Sequence, residues 1–202
     1  GQVTDKLAAV DAVAATSAGG LAEGISRVGS AASDAGVSFD DLLALIASAK
    51  QITGRSESVI GNAFKTIFTR LDRQKVQDVL GKSIDIAPDE GALSILQKLA
   101  KNYDNLSRSQ QAFVSETVAG VFQINQFKAI MADLGSEFSI FERAQKAAQN
   151  STGLSEKRVK ELTKSLSDLA QIASTNIQQG AAAIGNQTIA NPIRNILTSF
   201  NS

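Results

Sequence analysis

Apolar residues recur every three or four positions along most of this chain, a spacing that places them on one face of an α-helix. Glycine-containing breaks interrupt the pattern at Gly19-Gly20, near Gly36, at Thr53-Gly54 and at Gly135-Ser136, and residues 81–91 form the longest interruption. The pattern predicts an all-α fold of eight or nine helices in all, a bundle of short amphipathic helices with a longer C-terminal helix. The largest sheet we expect is a two-strand fragment near residues 84–86.

Hydroxyl-bearing residues precede several of these apolar runs, where their side chains can accept hydrogen bonds from the first free amides of a helix. Thr4 is the predicted cap of a first helix that runs to about Ala18 and breaks at Gly19-Gly20. Ser38, Ser56 and Ser107 are the predicted caps of later helices. A helix from about residue 136 to 149 closes this part of the chain.

The apolar faces of the predicted helices can be covered only by one another. We therefore expect the large apolar side chains on these faces to be buried. The second helix also carries Gly20, Gly24, Ala31 and Ala32, small residues that would let another backbone approach closely. The predicted buried residues are Phe64, Ile67, Phe68, Leu71, Leu96, Leu99, Phe113 and Val118.

The pattern divides the chain into a compact helical domain, residues 1–150, and a C-terminal segment, residues 151–202, that ends in a Gly, Asn and Gln-containing tail. A helix predicted from Ser155 to about Gln179 spaces its apolar residues in alternating steps of three and four, as coiled coils do. The same spacing fits an ordinary amphipathic helix packed on its own domain. The candidate self-association residues are Val159, Leu162, Leu166, Leu169, Ala173 and Asn176.

Composition removes several classes of function. The 202 residues carry 20 basic and 20 acidic side chains, and this balance argues against a dedicated nucleic-acid surface. The chain contains no Cys and no His, so thiol nucleophiles and the commonest general base are missing. We therefore expect no enzymatic activity, no cofactor and no bound metal.

The acidic clusters have a structural interpretation. Asp40 and Asp41 stand in the first turn of a predicted helix, where the positive end of the helix dipole favours acids. Asp85, Asp89 and Glu90 lack the alternate spacing of a calcium-binding loop, which favours a solvated turn. Neither cluster predicts catalysis.

Residues 53–73, TGRSESVIGNAFKTIFTRLDR, carry the most specific signal in the sequence. Their residue order resembles the segment that follows the core region in tail tape-measure proteins of long-tailed bacteriophages. Residues 99–111 (LAKNYDNLSRSQQ) and 118–131 (VAGVFQINQFKAIM) resemble the same family in the same order. The resemblance continues at Asp133-Leu134 and residues 139–144, and upstream it includes residues 22–45. It covers most of the chain up to about residue 155.

The resemblance implies a structural protein of the virion tail, located in the tail lumen or tip, and in the host cytoplasm during assembly. Members of that family are long helical chains whose length sets the length of the tail, and they leave the tube ahead of the DNA. Their expected partners are copies of themselves, as a homotrimer within a six-fold tail tube, and tube, tail-tip or distal tail proteins. The host membrane and the phage DNA end are further expected partners during ejection.

A second hypothesis comes from another class of protein. Residues 169–193 contain no charged side chain, which suggests a membrane-active helical domain of the pore-forming or toxin-like kind. Frequent Gln, Ser and Asn residues interrupt this stretch, so it does not have the pattern of a helix that spans a membrane permanently, and insertion would have to be triggered. Leakage of liposomes at low protein concentration would distinguish this hypothesis from a tail protein.

Overall fold

The computed structural model describes residues 2–81 and 85–151, which lie in the first of the chain's two units, Gly1–Leu154. This part of the chain contains nine α-helices and no strand, so the all-α prediction is confirmed. The heptad-spaced residues 159–176 lie outside the described residues. The helices are α1 Gln2–Asp11, α2 Ala18–Asp34, α3 Phe39–Thr53, α4 Glu57–Arg70, α5 Arg73–Leu80, α6 Ala92–Tyr103, α7 Arg108–Ala119, α8 Ile124–Leu134 and α9 Ile140–Gln149.

Most of the predicted boundaries follow from local capping chemistry. The Ser38 hydroxyl accepts a hydrogen bond from the amide of Asp41 at the start of α3. Ser107 and Gln110 form a reciprocal capping box at the start of α7. Gly54 ends α3 with φ at +66°, a backbone conformation that side-chain-bearing residues rarely adopt. These boundaries are encoded within a few residues of sequence, and the predictions for them are confirmed.

The predicted first helix is wrong in its limits. Thr4 lies inside α1, which ends at Asp11, and Gly19 and Gly20 stand in the first turn of α2 rather than at a break. The N-cap of α2 is Ser17, whose hydroxyl accepts from the Gly20 amide at 3.0 Å. Gly20 lies against the Glu57 carboxylate, and a Cβ atom there would lie 2.6 Å from that side chain and would displace it.

Two other predictions at helix starts agree with the structure only in part. Ser56 occupies the N-cap position of α4, but its side chain makes no capping hydrogen bond and instead meets the Ser58 hydroxyl at 3.2 Å. The last described helix begins at Ile140 rather than near residue 136, and Ser139 is its N-cap.

Helix α3 is the centre of the fold. Its residues 42–49 are all buried, whereas the other described helices bury one face only. Helices α1, α2, α4, α8 and α9 pack around it, while α5, α6 and α7 extend the core on the side of α4 and α8. Residues 42–49 are apolar apart from Ser48 and are buried on every side, so this helix depends on packing against several neighbours.

Six of the eight residues predicted to be buried are buried: Phe64, Ile67, Phe68, Leu96, Leu99 and Val118. Leu71 is half-buried and packs against the edge of the core. The prediction for Phe113 is wrong, because its side chain is 53% exposed. Helix α7 buries Val114, Ser115, Val118 and Ala119, and Phe113 lies just beside that face.

Helices α2 and α4 approach each other at backbone contact. A Cβ atom added to Gly61 of α4 would lie 2.4 Å from the carbonyl oxygen of Gly24 in α2. In return, a Cβ atom added to Gly24 would lie 2.9 Å from the carbonyl oxygen of Glu57. The close approach of a backbone expected at the small residues of α2 is therefore present at Gly24, and its partner is the α4 helix.

Candidate functional site

The self-association residues predicted from the sequence, Val159, Leu162, Leu166, Leu169, Ala173 and Asn176, lie outside the described residues. The described residues nevertheless include all of the stretches that carry the resemblance, apart from the few residues beyond 151.

Residues 53–73 build one side of the contact between α2 and α4. Gly54 and Ser56 turn the chain out of α3, and Gly61 then brings α4 against the Gly24 backbone. Phe64 and Phe68 follow at the next turns, with ring centroids 5.7 Å apart, and both are buried. The signature residues of this stretch thus act in packing.

Glu57, in the first turn of α4, is a buried carboxylate at the start of two helices. Its Oε1 atom accepts a hydrogen bond from the Thr16 hydroxyl at 2.7 Å, just before α2 begins. Burial tends to raise the pKa of Glu57, but hydrogen bonds from Thr16 and from the backbone amides of Glu57 and Ser17, with the charge of Lys50, outweigh it. The net result is a lowered pKa, so the carboxylate stays ionised and holds the two helix starts together.

The arginines of the same stretch contact backbone carbonyl groups. Arg70 donates from Nε to the carbonyl of Thr117 at 3.1 Å and from Nη2 to that of Glu116 at 3.3 Å, at the C-terminal end of α7. Arg73 donates to the carbonyl of Ile86 at 3.0 Å. A guanidinium satisfies free carbonyls and the negative end of a helix dipole. These contacts explain both residues without a phosphate ligand.

Residues 99–111 form a polar junction between α6 and α7. The Gln111 side-chain amide nitrogen donates to the carbonyl of Tyr103, the last residue of α6, and to that of Leu106 in the following turn. The hydroxyl groups of Tyr103 and Ser115 lie 2.8 Å apart, and both residues are buried. The junction therefore fixes the turn between the two helices.

Asp133 is a buried carboxylate that sequence reasoning missed. Its two oxygens accept from the backbone amides of Ile140 and Phe141, each at 2.8 Å, and from the Ser48 hydroxyl at 2.7 Å. Ser139 donates to the same carboxylate at 3.2 Å. One residue of α8 thereby caps α9 and ties both helices to α3. A signal existed in the sequence, because an acid in the last turn of a helix is unfavourable unless it serves another group.

The other acidic clusters also serve the fold. Asp40 pairs with Lys6 of α1, and the neighbouring Asp41 accepts from the Gln145 side chain of α9. Hydrogen bonds from Lys98 and Ser94 hold the pKa of Glu90 below its ordinary value. Within residues 2–81 and 85–151, no group of three or more acidic residues could hold a metal ion.

The clearest candidate contact residues are exposed aromatic side chains in turns. Phe122, before α8, is 89% exposed, and Phe138, before α9, is 88% exposed. Val121 and Phe113 are also more than half exposed. A shallow depression beside Phe138, of about 450 Å³, is lined by charged and polar side chains of α9 and its preceding turn. These residues are available for contacts with another molecule.

None of the helices in the described part of the chain has the length and apolar character of a membrane span.

Comparison with known proteins agrees with this structural role. No solved structure matches the chain. A family model described as phage-related minor tail protein matches residues 1–120, which include the α2 and α4 contact, the α6 and α7 junction and the Arg70 contacts. The match covers more than half of the 202 residues. This chain belongs to the family of phage-related minor tail proteins.

Proposed function

We propose that this chain is part of the tape-measure protein of a long-tailed bacteriophage, and that it acts in tail assembly as a structural component without catalytic activity. The observation that carries the proposal is the ordered set of tape-measure-like stretches, beginning with residues 53–73, within a chain of the minor tail protein family. Three of these stretches build close helix contacts and helix junctions in the described fold.

In this proposal the described residues form a compact domain, and length is measured by extended helix elsewhere in the protein. A straight helix rises about 1.5 Å per residue, so 150 residues would reach about 225 Å if unbroken. The described helices have 8 to 17 residues each and fold back on one another, so they cannot form such a rod. The heptad-spaced residues 159–176 are the candidate for the part that runs along the tail.

The proposal includes self-association of residues 159–176 as a homotrimer within a six-fold tail tube. Tube subunits and tail-tip or distal tail proteins are the further partners, in the tail lumen or at its tip. Release ahead of the DNA would bring the chain to the host membrane. Asn176 would be a polar core position that fixes the alignment of the copies.

Tail length in the assembled phage tests the measuring role. Residues 155–175 make three heptads, and one, two or four extra copies are inserted in frame after residue 175 of the phage gene. We expect electron microscopy to show tails longer by about 30 Å per copy, because each copy adds three heptads of helix at about 1.5 Å per residue. Unchanged tail length would rule out the measuring role for this segment.

The matched control places the same insertions after Gly81, in the connection between α5 and α6. These residues add to the compact domain and should leave tail length unchanged. Lengthening from both positions would mean that the described domain is also extended in the tail.

Sedimentation of the full chain tests self-association separately. The Leu162→Asp, Leu166→Asp double variant should convert a trimer into a folded monomer. The matched control, Lys164→Asp with Ser167→Asp, places the same side chains off the heptad seam and should remain trimeric. A wild-type chain that is monomeric at high concentration would contradict trimerisation through this segment.

A further inference from the structure

The first and last described helices pack together at the edge of the fold. We call α1 (Gln2–Asp11) and α9 (Ile140–Gln149) the terminal pair; they contact each other as well as α3. Helix α1 buries Asp5, Ala9 and Val10, and α9 buries Phe141, Ala144 and Ala148, so Phe141 is the only aromatic side chain that either helix buries. Apart from Phe141, the apolar side chains that α1 and α9 bury are Ala or Val, so each contributes only a small apolar area of its own.

Polar contacts at one turn of α3 hold both members of the pair. Lys6 of α1 pairs with Asp40, and Gln145 of α9 donates to Asp41, the next residue. Each contact is partly exposed, so water can replace it at small cost. The first turn of α3 thus fastens α1 and α9 side by side.

The Asp133 carboxylate is the strongest fastening of α9. Three of its four hydrogen bonds, from Ser139, Ile140 and Phe141, come from the start of α9. When α9 moves away these bonds are lost together, and water reaches both Asp133 and the buried Ser48 hydroxyl. No polar group at this site is then left buried without a partner, so opening here avoids the penalty that usually opposes partial unfolding.

We propose that the terminal pair opens as one cooperative unit while α2–α8 remain folded. The two helices open together because each is part of the surface on which the other packs. Helix α3 keeps its contacts with α2, α4 and α8, which do not depend on the pair for their mutual contacts, and only its side toward α1 and α9 becomes exposed. The terminal pair, which includes both ends of the described chain, therefore opens at a lower free energy than the rest of the domain. The hydrogen bonds of Asp133 hold it closed.

Native-state hydrogen exchange of the full 202-residue chain tests this proposal. In the wild type we expect the amides of α1 and α9 to share one opening, with protection at least about tenfold lower than that of α3 and α4. Asp133→Ala should raise exchange in α1 and α9 by the same factor, roughly ten- to a hundredfold, because hydrogen bonds to a charged group are lost.

Val118→Ala is the matched control in the part that stays folded. Val118 is fully buried in α7, and its loss should raise exchange in α3 and α4 by roughly tenfold or more while α1 and α9 exchange as before. Equal acceleration of all helices by Val118→Ala would overturn the proposal, because it would mean that the terminal pair opens only in global unfolding. Acceleration of α9 without α1 in Asp133→Ala would overturn the cooperativity of the pair. If Asp133→Ala does not fold, the wild type and Val118→Ala still decide between these outcomes.

Discussion

The contact between α2 and α4 and the terminal pair of α1 and α9 are two helix contacts of opposite character in one domain. At the first, the Gly24 and Gly61 backbones touch and leave no room for a Cβ atom. At the second, short helices bury a few side chains and are fastened by polar groups near their ends. The difference teaches that glycine residues can hold two helices at a fixed close distance, as in α2 and α4. Small alanine side chains in α1 and α9 do not prevent those helices from separating from the fold.

Removing a large buried side chain gives the largest expected effect and compares the two regions directly. Phe64→Ala in α4 should lower the free energy of unfolding by about 3 to 5 kcal/mol, because it leaves a cavity in the core. Phe141→Ala in α9 should lower the free energy of unfolding by less. The terminal pair can open by itself, so the loss cannot exceed the free energy of that opening. Urea unfolding measures both, and Phe113→Ala, which changes an exposed ring, should cost less than about 1 kcal/mol. Equal losses from Phe64 and Phe141 would break the comparison.

Adding one methyl group at the close contact should be the next most damaging change. Gly61→Ala should lower the free energy of unfolding by about 2 kcal/mol or more, because the new Cβ meets the Gly24 carbonyl and forces the helices apart. Gly29→Ala in α2 is the matched control, since a Cβ there finds its nearest neighbour at 4.0 Å. That variant should be neutral or more stable by up to about 1 kcal/mol through better helix propensity. A tolerated Gly61→Ala would show that α2 and α4 are not locked.

Acid should weaken the same contact through Glu57. Its pKa is lowered in the folded state, so its contribution to stability is present above the unfolded value near 4.5 and is lost as pH falls through the folded value. Thermal unfolding between pH 6 and pH 3 should therefore show a steeper fall for the wild type than for Glu57→Gln. Parallel curves for the two proteins would mean that this carboxylate does not hold the two helix starts. Glu90, whose pKa is also lowered, should contribute a similar dependence in both proteins.

The smallest expected effect is at an exposed aromatic residue. Phe122→Ser should change the free energy of unfolding by less than about 0.5 kcal/mol, because the ring is 89% exposed and leaves no cavity. The measurement is repeated at low and high protein concentration. A concentration-dependent loss of stability in the variant would reveal a contact between copies at this turn.

Local signals predicted much of the fold. Ser38, Ser107 and Gly54 mark helix ends through groups that lie within a few residues, so the sequence suffices to place them. Gly20 misled the prediction, because a glycine that makes room for Glu57 looks the same in sequence as one that breaks a helix. Local pattern carries no information on which distant element approaches such a residue.

The roles of the functional stretches could be predicted less well. The residue order of 53–73 pointed to a phage tail protein, but the partners of Arg70 and Asp133 depend on how α7 and α9 pack, far along the chain. The prediction that Phe113 is buried was wrong for a related reason. Helical spacing alone does not decide which of two neighbouring faces of α7 meets the core. Sequence thus identified a phage tail protein and most of its helices, while long-range packing determined what their polar residues do.

Mechanical unfolding of single molecules tests most directly whether the terminal pair separates from the rest of the fold. The chain contains no cysteine, so Gln2→Cys and Asn150→Cys provide two unique attachment points. Under slowly increasing force, we predict a first step that releases residues 2–17 and 135–150, roughly 100 Å of contour at about 3.5 Å per residue, followed by unfolding of the remainder. Asp133→Ala should lower the force of the first step only. A single step that releases the whole domain at once, at about 500 Å of contour, would contradict the account.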